Sequence, residues 1–377
     1  MPCSRATDTP GDDCERVECA LSNILMALVT ENYSLGLPVE IDRIGTELKK
    51  LWQEGEGVMS RASLMNLAVY SEEPNSLAEN TRIISEVARS HACRAIVIEA
   101  NPKAIENRVQ AWISAHCHMG QAGSKQICSE QLSFSLQGPC AELLPNIVFS
   151  HLDSDLPFYF WWQGALRDPM DPQLWAWVDR FIYDSRDWDD FAAQMRLVES
   201  AQEEARQRIV LCDLNWTRLD KMRVAIAQLF DHPASHHHFA KIKAGQIYFA
   251  PGFRSTALLL VGWLAAQLNW QLEKVNDANR LQFANPAGGK VEIDLRERDE
   301  HAVGEVSLST GEVEFLVRHA RCGDLLEVSR GKPDDTRLAQ LVPAQSNDPV
   351  ELMTQELFRG GQHRVYLRAA NYCRQRP

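Results

Sequence analysis

The chain has 377 residues, 45% of them hydrophobic, and a formal net charge of −12. That length exceeds one domain of roughly 100–200 residues and predicts two. The acidic balance argues against nucleic acid or an anionic membrane as the partner, since both need basic surface.

The first eight residues carry no basic and apolar leader pattern. The longest apolar run, 256–268, falls short of the ~20 residues a spanning helix needs. A cytoplasmic protein without membrane association is therefore expected, with thiols mostly reduced. Residues 1–14 are polar and read as a disordered tail, and 14–30 as a helix with Val17, Leu21, Ile24, Leu25 and Leu28 on one face. A strand is expected over 61–70. A helix then starts at Ser76, with Ser76 as N-cap and Glu79 completing a capping box.

Strands follow over 94–99, 109–116 and 127–136, then a helix near 141–151. Residues 158–162 place five aromatic side chains in a row between Pro157 and Gly164. On a strand Phe158, Phe160 and Trp162 share one face, Tyr159 and Trp161 the other. Both faces are hidden only in a central strand covered on each side. The carboxyl end at Trp161 and Trp162 lies where functional surfaces of α/β sheets form, which makes both residues candidate partner contacts. Next come a helix over 173–178, a strand over 180–184 and a charged amphipathic helix over 188–208.

Composition changes near Ile209. A helix to Phe230, a strand over 246–250, an apolar helix over 255–268 and hairpins turning near Gly288-Gly289 and Gly311 are expected. A last helix over 349–358 should run into a strand over 363–368. Gly262 in the apolar helix permits a close helix crossing. The fold class is α/β: an N-terminal α/β sheet domain over 15–208 followed by a C-terminal α+β domain over 209–377.

Neither a dinucleotide fingerprint, nor a Walker A loop, nor a nucleophile elbow is present in the sequence. No catalytic residue, cofactor or metal site is expected. His116-Cys117-His118 with Cys128 matches no standard zinc spacing and reads as a strand end. His232 and His236-His237-His238 read as a solvated loop. Cys128 and Glu130 either mark a site or lie on a strand passing from buried to exposed. In Asp213-Leu214-Asn215-Trp216-Thr217-Arg218, Thr217 suits the cap of the next helix. Asn215, Trp216 and Arg218 read either as partner contacts or as a cap with a packed Trp.

Several segments in order resemble the bacterial glucose-6-phosphate dehydrogenase assembly protein family, OpcA. They are Cys93-Arg94-Ala95-Ile96-Val97, Ile127-Cys128-Ser129-Glu130-Gln131, Asp155-Leu156-Pro157 with Trp161-Trp162, Asp179-Arg180-Phe181-Ile182-Tyr183-Asp184-Ser185, the Asp213 to Leu219 segment, Ala225-Ile226-Ala227-Gln228-Leu229-Phe230-Asp231 and Gly262-Trp263-Leu264-Ala265. No single segment is specific; the ordered set is. The resemblance implies a non-catalytic protein that binds glucose-6-phosphate dehydrogenase, favours its assembled state and activates it for NADPH production. It also implies thiol redox control through thioredoxin. Cys3, Cys14, Cys19, Cys322 and Cys373 are the candidate redox thiols, and Cys93 and Cys128 are expected to be structural. The alternative is an α/β enzyme or sensor of a small phosphorylated metabolite, with Arg94, Ser129 and Arg180 as anion contacts.

Overall fold

The computed structural model describes residues 35–54, 59–119, 126–167, 171–205, 209–231, 238–277, 279–298, 300–321, 324–332, 340–361 and 363–374. The expected tail over 1–14 and helix over 14–30 lie outside these residues. The described chain forms two compact units. One is drawn from residues up to Leu64 with Ser71–Leu144, the other from Met65–Tyr70 and Pro145 onward.

The first unit contains β1 (Leu37–Val39), α1 (Ile44–Glu54), β2 (Met59–Arg61), α2 (Ser76–Val87), β4 (Arg94–Asn101), β5 (Arg108–Met119) and β6 (Gln126–Gln137). Its strands run in the order β1-β5-β6-β4, with β2 also paired to β6. β5 and β6 pair antiparallel along their whole length, and β4 lies parallel to β6. The i, i+3, i+4 pattern of α2 turns Leu77, Ile83, Ile84 and Val87 inward.

The start of α2 departs from the capping box. Asn75 holds the N-cap position at φ 63° and Ser76 is the first helical residue. The Glu99 carboxylate on β4 accepts from the Leu77 amide at 3.0 Å and the Ser76 hydroxyl at 3.4 Å. A carboxylate from another element thus supplies the negative charge that a helix N-terminus favours.

The second unit begins with β3 (Asn66–Ser71). It continues with β7 (Phe158–Trp162), after α3 (Leu144–His151) across the boundary, then α4 (Pro172–Trp175), β8 (Arg180–Tyr183), α5 (Phe191–Ala205) and β9 (Val210–Asp213). β3, β7, β8 and β9 are neighbours in that order and all parallel. The aromatic stretch is therefore a central strand, and its apolar run is what burial on both faces demands.

The rest of the unit comprises α6 (Leu214–Thr217), α7 (Asp220–Asp231), β10 (Ala244–Phe249), α8 (Arg254–Leu268), β11 (Gln271–Asp277), β12 (Arg280–Ala284), β13 (Lys290–Glu297), β14 (Glu305–Ser309), β15 (Glu314–His319), β16 (Leu325–Gly331), β17 (Gln340–Pro343), α9 (Pro349–Phe358) and α10 (Arg364–Arg374). Its eight-stranded sheet runs β11-β12-β13-β10-β14-β15-β16-β17. Among its described strands only β10–β13 pair in parallel.

The expected strand over 363–368 is instead the start of α10. Tyr366, Ala369 and Ala370 are its buried residues, the i, i+3, i+4 face of a helix. α8 and α10 cross closely at Gly262, where a Cβ would meet the Ala369 carbonyl oxygen at 2.4 Å. Among the described residues no helix is long and apolar enough to cross a membrane.

Candidate functional site

The strand ends of β8 and β9 carry a buried polar cluster in the second unit. β8 delivers Asp184 and Ser185, and β9 delivers Cys212 and Asp213. Asp213 is the N-cap of the short helix α6, accepting from the Asn215 amide at 2.9 Å. It also accepts from the Ser185 amide at 3.0 Å and the Ser185 hydroxyl at 2.7 Å. Burial, with the charge of Asp184 adding to it, pushes the Asp213 carboxyl up to about 7.

Three residues of the Asp213 to Arg218 segment are absorbed by this cluster. The Asn215 amide nitrogen donates to the hydroxyls of Ser185 and Ser255, each at 3.2 Å, and its oxygen accepts from Thr256. Arg218 pairs with Asp184 at 2.6 Å, donates to Asn215 at 3.1 Å and donates to Asn347. Trp216 packs beside Tyr366, with the Arg223 guanidinium over its ring at 3.3 Å. Thr217 does not cap the following helix: its hydroxyl donates to Glu356 Oε2 at 2.6 Å.

α9 and the turn after it close the cluster. Glu356 is fully buried, yet burial is outweighed: His363, Thr217 and Arg359 hold its carboxyl below the usual range. Arg359 is paired with Asp220 at 2.9 Å. His363 Nε2 lies 3.0 Å from Glu356 Oε1. Cys212 Sγ completes a group of three potential metal ligands with Glu356 and His363, all within 4.8 Å of one another. Burial pushes the Cys212 thiol well up, with the Glu356 charge adding to it. Tyr183 and Tyr366 join hydroxyls at the same place.

The expected contact residues are thus interior ones. Trp161 is 4% exposed and Trp162 6%. Trp162 stacks near Tyr70 at 4.3 Å and donates to the Ala165 carbonyl at 3.1 Å. Asn215, Trp216 and Arg218 are buried as well. Among the described residues the large aromatic side chains most open to solvent are Trp177, 54% exposed, and Phe358, 71% exposed.

Sequence reasoning passed over Cys212, Glu356, Arg359, His363 and Tyr366. No local spacing signals them, because α9 and α10 come from the far end of the chain.

The thiol geometry also departs from expectation. Cys117 and Cys128 form a disulfide across β5 and β6, where they sit directly opposite with Cα atoms 4.1 Å apart. Cys3, Cys14, Cys19 and Cys322 lie outside the described residues, and Cys373 is partly buried. Arg94 and Arg61 both pair with the buried Glu130, at 2.8 and 2.9 Å. Ser129 accepts from the Cys93 amide at 3.1 Å. Arg180 donates to the carbonyls of Arg359, at 2.5 Å, and Glu356, at 3.4 Å. The three expected anion contacts are each engaged with the protein's own groups.

Two domain models of one family match this chain. That described as the glucose-6-phosphate dehydrogenase subunit N-terminal domain matches residues 84–200, and that described as the C-terminal domain matches 209–370. A relative from Nostoc punctiforme named as OxPP cycle protein OpcA is 26% identical over 307 residues, 76% of this chain. This chain spans 65% of the length of that relative. A Synechocystis sp. protein of the same name is 23% identical over 376 residues, covering 93% of this chain and 76% of the relative. An aldose-aldose oxidoreductase structure from Caulobacter crescentus aligns over 82% of this chain and 94% of its own, at 9% identity and a TM-score of 0.45, a likeness too distant to carry an argument.

Proposed function

This chain belongs to the OpcA family, whose domains are described as those of a glucose-6-phosphate dehydrogenase subunit, and from that premise we propose that it is a non-catalytic partner of glucose-6-phosphate dehydrogenase. It binds the dehydrogenase in the cytoplasm, favours its active assembled form and so raises NADPH production in the oxidative pentose phosphate pathway. The observation that carries this reading is the pair of family matches at 84–200 and 209–370.

The mechanism is linkage. A protein that binds the active form of an enzyme better than the inactive one shifts the population toward the active one. A differential affinity of about 1–3 kcal/mol changes apparent substrate affinity roughly 5- to 150-fold without any reacting group on the activator. The polar cluster at Asp213 fits this role as a brace. Most of its charges and amides are spent on one another, which ties α6, α9 and α10 together. Trp161, Trp162, Asn215, Trp216 and Arg218 then act by holding the surface in shape.

Redox control is part of the proposal, and the Cys117–Cys128 disulfide supports it, since Cys117 is exposed. A thioredoxin-class dithiol is the reductant we name. The test mixes the purified chain with the dehydrogenase. Co-elution and a lower apparent KM for glucose 6-phosphate are expected, with a difference between oxidised and reduced chain. Separate elution and unchanged kinetics in both redox states would overturn the reading.

A further inference from the structure

We propose that Cys212, Glu356 and His363 form a binding site for a divalent transition-metal ion, with zinc as the class representative. The donor set is the first argument. A thiolate, an imidazole and a carboxylate are the three side-chain types that zinc takes, at roughly 2.0–2.3 Å. The three donor atoms already lie within 4.8 Å of one another. Tetrahedral ligation sets such atoms roughly 3.3–3.7 Å apart, so the group need close by no more than about 1.5 Å.

The second argument is a misaligned contact. Glu356 Oε1 and His363 Nε2 form an ion pair at 3.0 Å, yet among the described residues neither atom makes an aligned hydrogen bond. The two approach without the alignment a hydrogen bond requires. Buried polar atoms left so in a folded protein call for an explanation, an ion being one.

The surroundings are built in the same sense. Thr217 and Arg359 engage the other carboxylate oxygen, Oε2, at 2.6 and 3.6 Å. That leaves Oε1 as the ligating atom, the orienting role that outer partners play in metal sites. The charge of Arg359 is answered by Asp220. Arg180 lies 3.9 Å from Cys212 Sγ and favours the thiolate there. A thiolate and a carboxylate together balance a divalent ion. Beyond α9 the exposed Gly360 and Gly361, the latter at φ 73°, turn the chain so that His363 returns over Glu356. His363 is the least buried of the three and marks the route of entry. Three protein ligands leave a fourth position for water or another small ligand.

The competing reading is a plain Glu356–His363 ion pair, which binds no metal. The metal-stripped full chain, without reductant so that Cys117–Cys128 stays closed, is titrated with Co2+ followed by absorbance. One equivalent should bind, with the visible bands of tetrahedral cobalt and an ultraviolet thiolate-to-cobalt band, and Zn2+ should displace it. Cys212→Ser should abolish the thiolate band. His363→Gln, at the edge of the site, should weaken binding tenfold or more while the circular dichroism spectrum is kept. Absence of the thiolate band from the wild-type chain overturns the site whatever the variants do. So does binding that survives both substitutions, or that vanishes only when His236, His237 and His238 are replaced. The measurement involves no dehydrogenase, so its outcome is separate from that of the proposed partnership.

Discussion

Tyr183 on β8 and Tyr366 on α10 share a hydrogen bond of 2.7 Å between hydroxyls that are both fully buried. Burial, together with the charge of Asp213, pushes both phenols well above their usual range, so both stay protonated. Among the described residues the other partner of the Tyr183 hydroxyl is the Met195 sulfur at 3.8 Å, a weak acceptor. Tyr366→Phe should therefore cost about 1–3 kcal/mol, the cost of an orphaned buried hydroxyl. The double variant Tyr183→Phe/Tyr366→Phe should lose less than the sum of the two single changes, because the pair then leaves no orphan. Urea unfolding of the four proteins measures this; strict additivity would show that the two hydroxyls do not interact.

The cross-strand disulfide yields a second expectation. Cys117 and Cys128 are eleven residues apart, and closing a loop of roughly that length in the unfolded chain contributes about 2–3 kcal/mol. Dithiothreitol should lower the melting temperature of the wild-type chain. A Cys117→Ser/Cys128→Ser variant should already melt at the lower temperature and show no further response. If its dependence on dithiothreitol persists, the responsive thiols lie elsewhere, with Cys373 the first of the described ones to examine.

A buried and a half-buried histidine in the first unit, His91 and His116, set an acid limit. Burial holds both His91 and His116 below the ordinary 6.5, and for His116 this outweighs the hydrogen bond to Gln131 that acts the other way. His116 donates from Nε2 to Gln131 Oε1 at 2.9 Å, and Gln131 donates onward to Thr81 and Ser133. With folded pKa values below the unfolded one, the unfolded chain binds more protons just under pH 6.5. Their contribution to stability is thus complete above pH 6.5 and is lost as pH falls through the folded values. The urea midpoint should drop on moving about one unit below 6.5. His116→Gln should flatten that drop; an unchanged profile would place the acid limit on other groups.

What could be read from sequence follows the range of the physics involved. The unbroken aromatic run and the Pro157 and Gly164 borders point to a strand at β7 with a buried start, because period and length are local properties, but they left its Trp161-Trp162 end open as a contact surface. The same logic misread residues 363–368, where Val365 and Leu367 alternate with polar residues but Tyr366, Ala369 and Ala370 carry the buried face. Gly262 announced a close helix crossing, though not that Ala369 would be opposite. The Cys117–Cys128 pair depends on the register of β5 against β6, and Cys212, Glu356 and His363 meet through the packing of α9 on α6 beside the end of β9. Neither leaves a mark in local spacing. The Asp213 to Arg218 segment was visible as unusual; its partners Ser185, Thr256 and Glu356 were not.

The burial of the expected contact residues separates two kinds of substitution. Trp161→Ala and Trp162→Ala remove interior rings, and each should cost about 3–5 kcal/mol of stability. Any loss of dehydrogenase binding should then follow the loss of fold. Trp177 and Phe358 instead present rings to solvent, and exposed aromatic side chains are frequent anchors of protein interfaces. Trp177→Ala or Phe358→Ala should leave the melting temperature within a degree or so, since surface changes usually stay within about 0.5 kcal/mol. An anchor among them should lose about 2 kcal/mol of binding, roughly thirtyfold in Kd. Titration of each variant against the dehydrogenase by calorimetry, beside its thermal melt, decides the matter. If both exposed rings are neutral while a folded Trp162→Ala chain binds weakly, the carboxyl end of β7 shapes the contact from beneath and the anchor is not aromatic.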